Sequence, residues 1–96
     1  MPDQPADPLA ALHSPRLMET LAALEHERWS RWQRYLHSRC EARADGALTI
    51  PADLVARWED QSVRPYDALT EAEKESDREQ VRHYLPAIAD ALRDRG

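Results

Sequence analysis

Ser14-Pro15-Arg16-Leu17-Met18-Glu19-Thr20-Leu21-Ala22-Ala23-Leu24-Glu25-His26-Glu27-Arg28-Trp29-Ser30-Arg31-Trp32-Gln33-Arg34-Tyr35-Leu36 is the stretch that decides the fold. Ser14 supplies an N-cap, and Pro15 a first helical residue whose missing N–H is harmless at that position. Leu17, Leu21, Leu24, Arg28, Trp32 and Tyr35 or Leu36 follow at helical spacing, which predicts one long helix over 15–39. Arg28 is a charge in an apolar phase, so it requires a buried or half-buried partner. Trp32 shares the phase of Leu21 and Leu24 and is expected in the core. Trp29 sits one position off that phase, three residues from Trp32, so the two rings can wall a pocket beside Glu25 and Arg28.

Working outward, Thr70-Glu71-Ala72-Glu73 reads as a capping box that starts a second long helix at residue 71. Its apolar phase is Val81, Tyr84, Leu85, Ile88 and Leu92, and stepping back along it reaches Asp77 and then Lys74 or Glu73. Pro86 lacks the donor for a bond to Arg82, so a kink or a split is expected there. The polar face of this helix and the charged position of the first one make Arg28 and Asp77 the pair expected to meet. That pair serves either as a salt bridge fixing the interhelical angle or as two groups that orient a ligand.

Between these helices, Asp45-Gly46 marks a turn, and Leu48-Thr49-Ile50 is an extended segment too short for a sheet. No second strand is expected. Pro51 opens a short helix with Leu54, Val55 and Trp58, ending near Gln61. Residues 1–13 carry Pro2, Pro5 and Pro8 and are expected to form a mobile arm without a fold of its own. The fold class is mainly α: a small single domain over 14–96 with two long helices, a short middle helix, and a long central loop with room for a short extended segment.

The 96 residues suffice for one core. A net charge of -5 argues against nonspecific nucleic-acid binding by the whole surface. The charge is uneven: residues 28–43 hold five arginines and only Glu41, whereas 53–79 hold nine acids and four bases. Docking of the two halves accounts for this pattern, and an arginine patch for an anion is the alternative. Cys40 is the only cysteine, so no internal disulfide forms. Neither a secretory segment nor a membrane-spanning stretch is present, and a cytoplasmic location is expected.

Leu24-Glu25-His26-Glu27-Arg28-Trp29, followed by Arg64-Pro65-Tyr66-Asp67-Ala68-Leu69-Thr70-Glu71-Ala72-Glu73-Lys74-Glu75-Ser76-Asp77-Arg78, resembles the ryanodine receptor repeat domain across about residues 17–92. The matching residues are His26, Trp29, Pro65, Tyr66, Leu69, Glu73, Lys74 and Asp77. The resemblance implies a small helical binding module of the free-standing bacterial or phage type, in which the early tryptophan helps hold adenine nucleotides or flat molecules. The Gly-Trp-x-Tyr-Gly stretch and the acidic turn common between the halves of that family are missing here.

The ligand site expected on these grounds comprises Glu25, His26, Arg28, Trp29, Trp32, Tyr66, Lys74 and Asp77. Trp29 and Tyr66 would stack a nucleotide or nucleotide-derived signal, Arg28 would meet a phosphate, and Asp77 a ribose hydroxyl or amino group. No catalytic residue, metal or cofactor is expected. His-Glu-x-x-His fails at Ser30, His37 and Cys40 make a weak nucleophile pair, and Gly46 and Gly96 cannot build a phosphate loop. The alternative is a protein-interaction module of a bacterial or phage regulatory complex, with a protein partner or a homo-oligomer. Nucleic-acid binding by the arginine-rich helix ranks below both.

Overall fold

The computed structural model describes residues 7–93. Among them the order is α1 (Pro8–Leu12), α2 (Pro15–Arg39), β1 (Glu41–Ala42), β2 (Leu48–Thr49), α3 (Ala52–Val63), a 3-10 turn (Tyr66–Ala68) and α4 (Glu71–Arg93). The architecture is mainly α, with two long helices and a shorter middle one. The local start signals operate as chemistry requires. Ser14 Oγ accepts the Leu17 N–H at 3.0 Å. At α4, the Glu73 carboxylate accepts the Thr70 N–H at 2.8 Å while the Thr70 hydroxyl accepts the Glu73 N–H at 3.2 Å.

Two expectations are corrected. Residues 8–12 form α1, capped by an Asp7 carboxylate that accepts the Leu9 N–H at 3.0 Å; residues 1–6 of the expected arm lie outside the described residues. Glu41–Ala42 is a second strand, paired antiparallel with Leu48–Thr49. A two-residue strand leaves no alternation to read, and its pairing is set by the turn. There Gly46 takes φ +89, and Asp45 Oδ1 accepts the Ala47 N–H at 3.0 Å. Of the kink or split expected at Pro86, the split does not occur, because Pro86 lies inside a continuous α4. The helix α3 ends at Val63, near Gln61 as expected.

The chain divides into two compact units, one holding the described residues up to Arg28 with Asp77–Arg93, the other Trp29–Ser76. The first contains α1, the N-terminal half of α2 and most of α4; the second contains the C-terminal half of α2, the hairpin, α3 and the 3-10 turn. Each has a small core. Leu17 at 5 % exposure anchors the first and Leu54 at 4 % the second, and they are the buried apolar side chains among the described residues.

Around these anchors, Leu21, Leu24, Arg28 and Leu36 are half-buried, whereas Trp32 and Tyr35 are exposed. Past Arg28 the sheltered positions become Ser30, Gln33 and Leu36 of α2 and Cys40 just after it. At about 100° per residue these lie roughly 100° or more round the helix from Leu17, whereas Tyr35 keeps the phase of Leu17, so the packed face changes abruptly and does not drift. On α4 the half-buried residues include Arg78, Gln80, Tyr84, Ala87, Ile88, Ala89, Ala91 and Leu92, while Val81 and Leu85 are exposed. The alanines offer small surfaces where the periodicity of large side chains alone would not place the packed face.

Candidate functional site

In the first unit the polar centre is Glu25, Arg28 and Tyr84. Glu25 and Arg28 are one helical turn apart on α2, so their side chains meet without help from another element. Arg28 Nε donates to Glu25 Oε1 at 3.0 Å and Oε2 at 3.1 Å, and its Nη2 bonds Oε2 as well. From α4, the Tyr84 hydroxyl donates to Glu25 Oε1 at 2.5 Å. One carboxylate thus collects donors from two helices.

Arg28 first, and the Tyr84 hydroxyl second, hold the Glu25 carboxyl down at about 2, against an ordinary 4.5. The Arg28 guanidinium is shifted the other way, upward, chiefly by the same Glu25 bond. The Tyr84 phenol is raised because losing its proton would break its bond to Glu25. All three groups are therefore locked in their ordinary charge states near neutrality, which suits a clamp and not a proton shuttle.

This arrangement corrects the expected Arg28–Asp77 pair. Glu25, at i−3, supplies the partner that Arg28 requires, and Asp77 is exposed on α4. Tyr84 was legible only as a member of the apolar phase. The signal for its role was its hydroxyl, which needs a partner once the ring packs.

In the second unit, Arg64 ties three elements together. Its guanidinium donates to Asp60 Oδ2 at 2.6 Å and to the Ala68 carbonyl at 3.2 Å, and lies 3.7 Å from Glu73 Oε1. Thr70 and Arg64 hold the Glu73 carboxyl below its usual range, the Thr70 backbone N–H contributing most. Lys74 Nζ sits 5.6 Å from the centre of the Tyr66 ring, a cation–π contact that fixes Tyr66 beside the start of α4.

Trp32 is not a core residue. Its ring meets Trp58 edge-on at 5.4 Å and Tyr35 at 5.7 Å, leaving much of its surface in water. Trp29, Trp32 and Tyr35 are 53 %, 40 % and 46 % exposed. They recur every three residues, each directly preceded by an arginine: Arg28-Trp29, Arg31-Trp32, Arg34-Tyr35. This ladder is the feature that sequence reasoning missed, and its triplet repeat was the available signal. His26 is exposed on α2 and engaged in an interaction of its own.

Two clefts among the described residues are lined by none of the expected ligand-site residues. One, of about 770 Å³, lies in the first unit between α1, Arg16, Leu17 and Thr20 of α2, and Ala87, Asp90 and Ala91 of α4. The other, of about 700 Å³, lies in the second unit and is edged by Glu41, Asp53 and Glu59. The expected site residues are divided between the units: Glu25, His26, Arg28 and Asp77 in the first, Trp29, Trp32, Tyr66 and Lys74 in the second. No group of three or more His, Cys, Asp or Glu among the described residues is placed to hold a metal ion. No described helix is long and apolar enough to cross a membrane. No family model matches the chain, and comparison with curated proteins and with solved structures returns no match, so the likeness to the ryanodine receptor repeat rests on the quoted residues alone.

Proposed function

We propose that the protein is a non-catalytic interaction module that recognises a protein partner through the arginine and aromatic ladder of α2. The observation that carries this reading is the exposure of Trp29, Trp32 and Tyr35 in succession along one helix. Trp, Tyr and Arg dominate the energetics of protein interfaces, because large rigid rings bury much area with few rotors and guanidinium groups bond several acceptors. Arg28 is held by Glu25, so the exposed Arg34 favours an acidic partner surface, and the rings fill its apolar depressions.

Two baits, wild type and Trp29→Ala/Trp32→Ala, are used to capture partners from cells that express the protein, and each captured protein is then purified and titrated by calorimetry. Binding by the wild type with at least about a tenfold loss in the double variant, equivalent to about 1.4 kcal/mol, is the expected result. The same calorimetry is run with adenine and cyclic nucleotides. Saturable nucleotide binding that disappears in Trp29→Ala would overturn the proposal in favour of a stacking pocket. Tight binding of single-stranded nucleic acid with a steep salt dependence would overturn it in favour of the arginine-rich helix as a nucleic-acid site.

A further inference from the structure

If the ladder of α2 is an interaction surface, as proposed above, the helix that bears it restricts what can lie on it. The helix is continuous from Pro15 to Arg39, so between Trp29 and Tyr35 the backbone N–H and C=O groups are bonded along its own axis. The indole and guanidinium groups on this face only donate, and they offer no row of acceptors for the N–H groups of an extended chain. An extended segment laid over the rings would give up water at each residue without replacing its bonds. A helix carries its backbone bonds with it and buries side chains alone.

The spacing of the exposed side chains suits such an occupant. At about 100° per residue, Trp32, Tyr35 and Arg39 fall within about 60° of one another round α2, in steps of three and four, the spacing of a seam between packed helices. Trp29 borders this seam on one side and Arg34 on the other, and all five side chains are exposed. The Trp32 ring is already braced by Trp58 and Tyr35, at 5.4 Å and 5.7 Å. Arg34 and Arg39 make no ion pair among the described residues. Because Arg39 lies within the seam, a partner that covered it without a carboxylate would strand its charge. We infer that the segment recognised by the ladder is an acidic amphipathic helix of about three turns, packed along the roughly 16 Å of residues 29–39. Its apolar side chains seat against Trp29, Trp32 and Tyr35, and its carboxylates face Arg34 and Arg39.

Random peptides of about 16 residues, long enough for four helical turns, are displayed on phage, selected on the full chain and screened again on Trp29→Ala/Trp32→Ala. Peptides that the wild type holds at least about tenfold more tightly are expected to carry apolar residues in steps of three and four, with Asp or Glu along one margin. A synthetic copy of the strongest is expected to gain helix on mixing, read as far-ultraviolet ellipticity more negative than the sum of the separate spectra. Arg34→Glu keeps the test decisive if the double variant loses helicity. It is expected to weaken that peptide at least about tenfold, and lysine in place of the peptide's facing carboxylate to restore binding. Ladder-dependent peptides whose apolar residues alternate every second position, or that gain no helix, overturn the helical partner and leave the ladder as an interaction surface. Ladder-dependent peptides that lack acids, or that bind Arg34→Glu equally well, overturn the acidic one. A selection in which no peptide prefers the wild type overturns the ladder reading and the helical partner together.

Discussion

Leu54 on α3 is 4 % exposed and Val63, on the same helix and in the same unit, is 79 % exposed, so the pair isolates what burial contributes. Leu54→Ala removes three carbons from an enclosed site. At about 0.8 kcal/mol for each buried carbon the transfer loss is about 2.4 kcal/mol, and the residual cavity raises it to about 3 kcal/mol. A chain of this length has about 5 to 14 kcal/mol in total, and a fold with so few buried side chains belongs at the lower end. The variant therefore forfeits about half of the stability. With a urea slope of about 1.5 kcal/mol/M, its midpoint falls by about 2 M. Val63→Ala loses contact with water rather than with protein and is expected to change stability by less than about 0.5 kcal/mol. Urea titration followed by circular dichroism and by tryptophan emission measures both. Equal midpoints for the two variants would refute the assignment of Leu54 as the anchor of its unit.

Thr70→Ala removes the hydroxyl that accepts the Glu73 N–H and is expected to cost about 1 kcal/mol, most of it recovered by Thr70→Ser; thermal melts decide this. Gly46→Ala has open space for its methyl group but must hold a φ of +89, so a cost of about 1 kcal/mol is expected from backbone conformation alone, readable as a lowered Tm. The folded-state pKa of Glu25, about 2, lies below its ordinary 4.5, so the stability it confers is complete above pH 4.5 and is lost as the pH falls toward 2. The stability gap between wild type and Glu25→Gln is expected to close across that window, and a gap independent of pH would contradict the clamp. Because Arg28 is the larger cause of the shift, Tyr84→Phe should move the carboxyl resonance only part of the way back in an NMR titration.

Signals that act within a few residues were legible in the sequence. Ser14-Pro15 and the Thr70–Glu73 box start their helices where their chemistry requires, and Asp45-Gly46 turns the chain. What failed depended on partners far along the chain or on competition between partners. Arg28 was read as needing a buried or half-buried partner, but its partner is the exposed Glu25 one turn away, which engages it before Asp77 can, since a neighbour on the same helix is held close at little entropic cost. Trp32 was assigned to the core by extending one apolar phase through the whole of α2. The packed face shifts after Arg28, where the helix passes from one compact unit to the other, and the sheltered residues there include Ser30 and Gln33. Of the expected ligand site, the Lys74–Tyr66 and Glu25–Arg28 contacts form within separate units. Trp29 and Trp32 were read together as a pocket wall beside Glu25 and Arg28, but Tyr35 was assigned to the apolar phase, so the triplet repeat that continues through Arg34-Tyr35 was overlooked.

The charges along the proposed α2 surface bear on what it can bind. Along the ladder every ring is accompanied by an arginine, so a second copy brought ladder to ladder would place like charges together, and this face is biased against self-association. An acidic partner reverses the sign of that interaction while offering the rings the same apolar contact. For a chain with a net charge of -5, local charge and not the overall balance therefore governs what this face of α2 attracts.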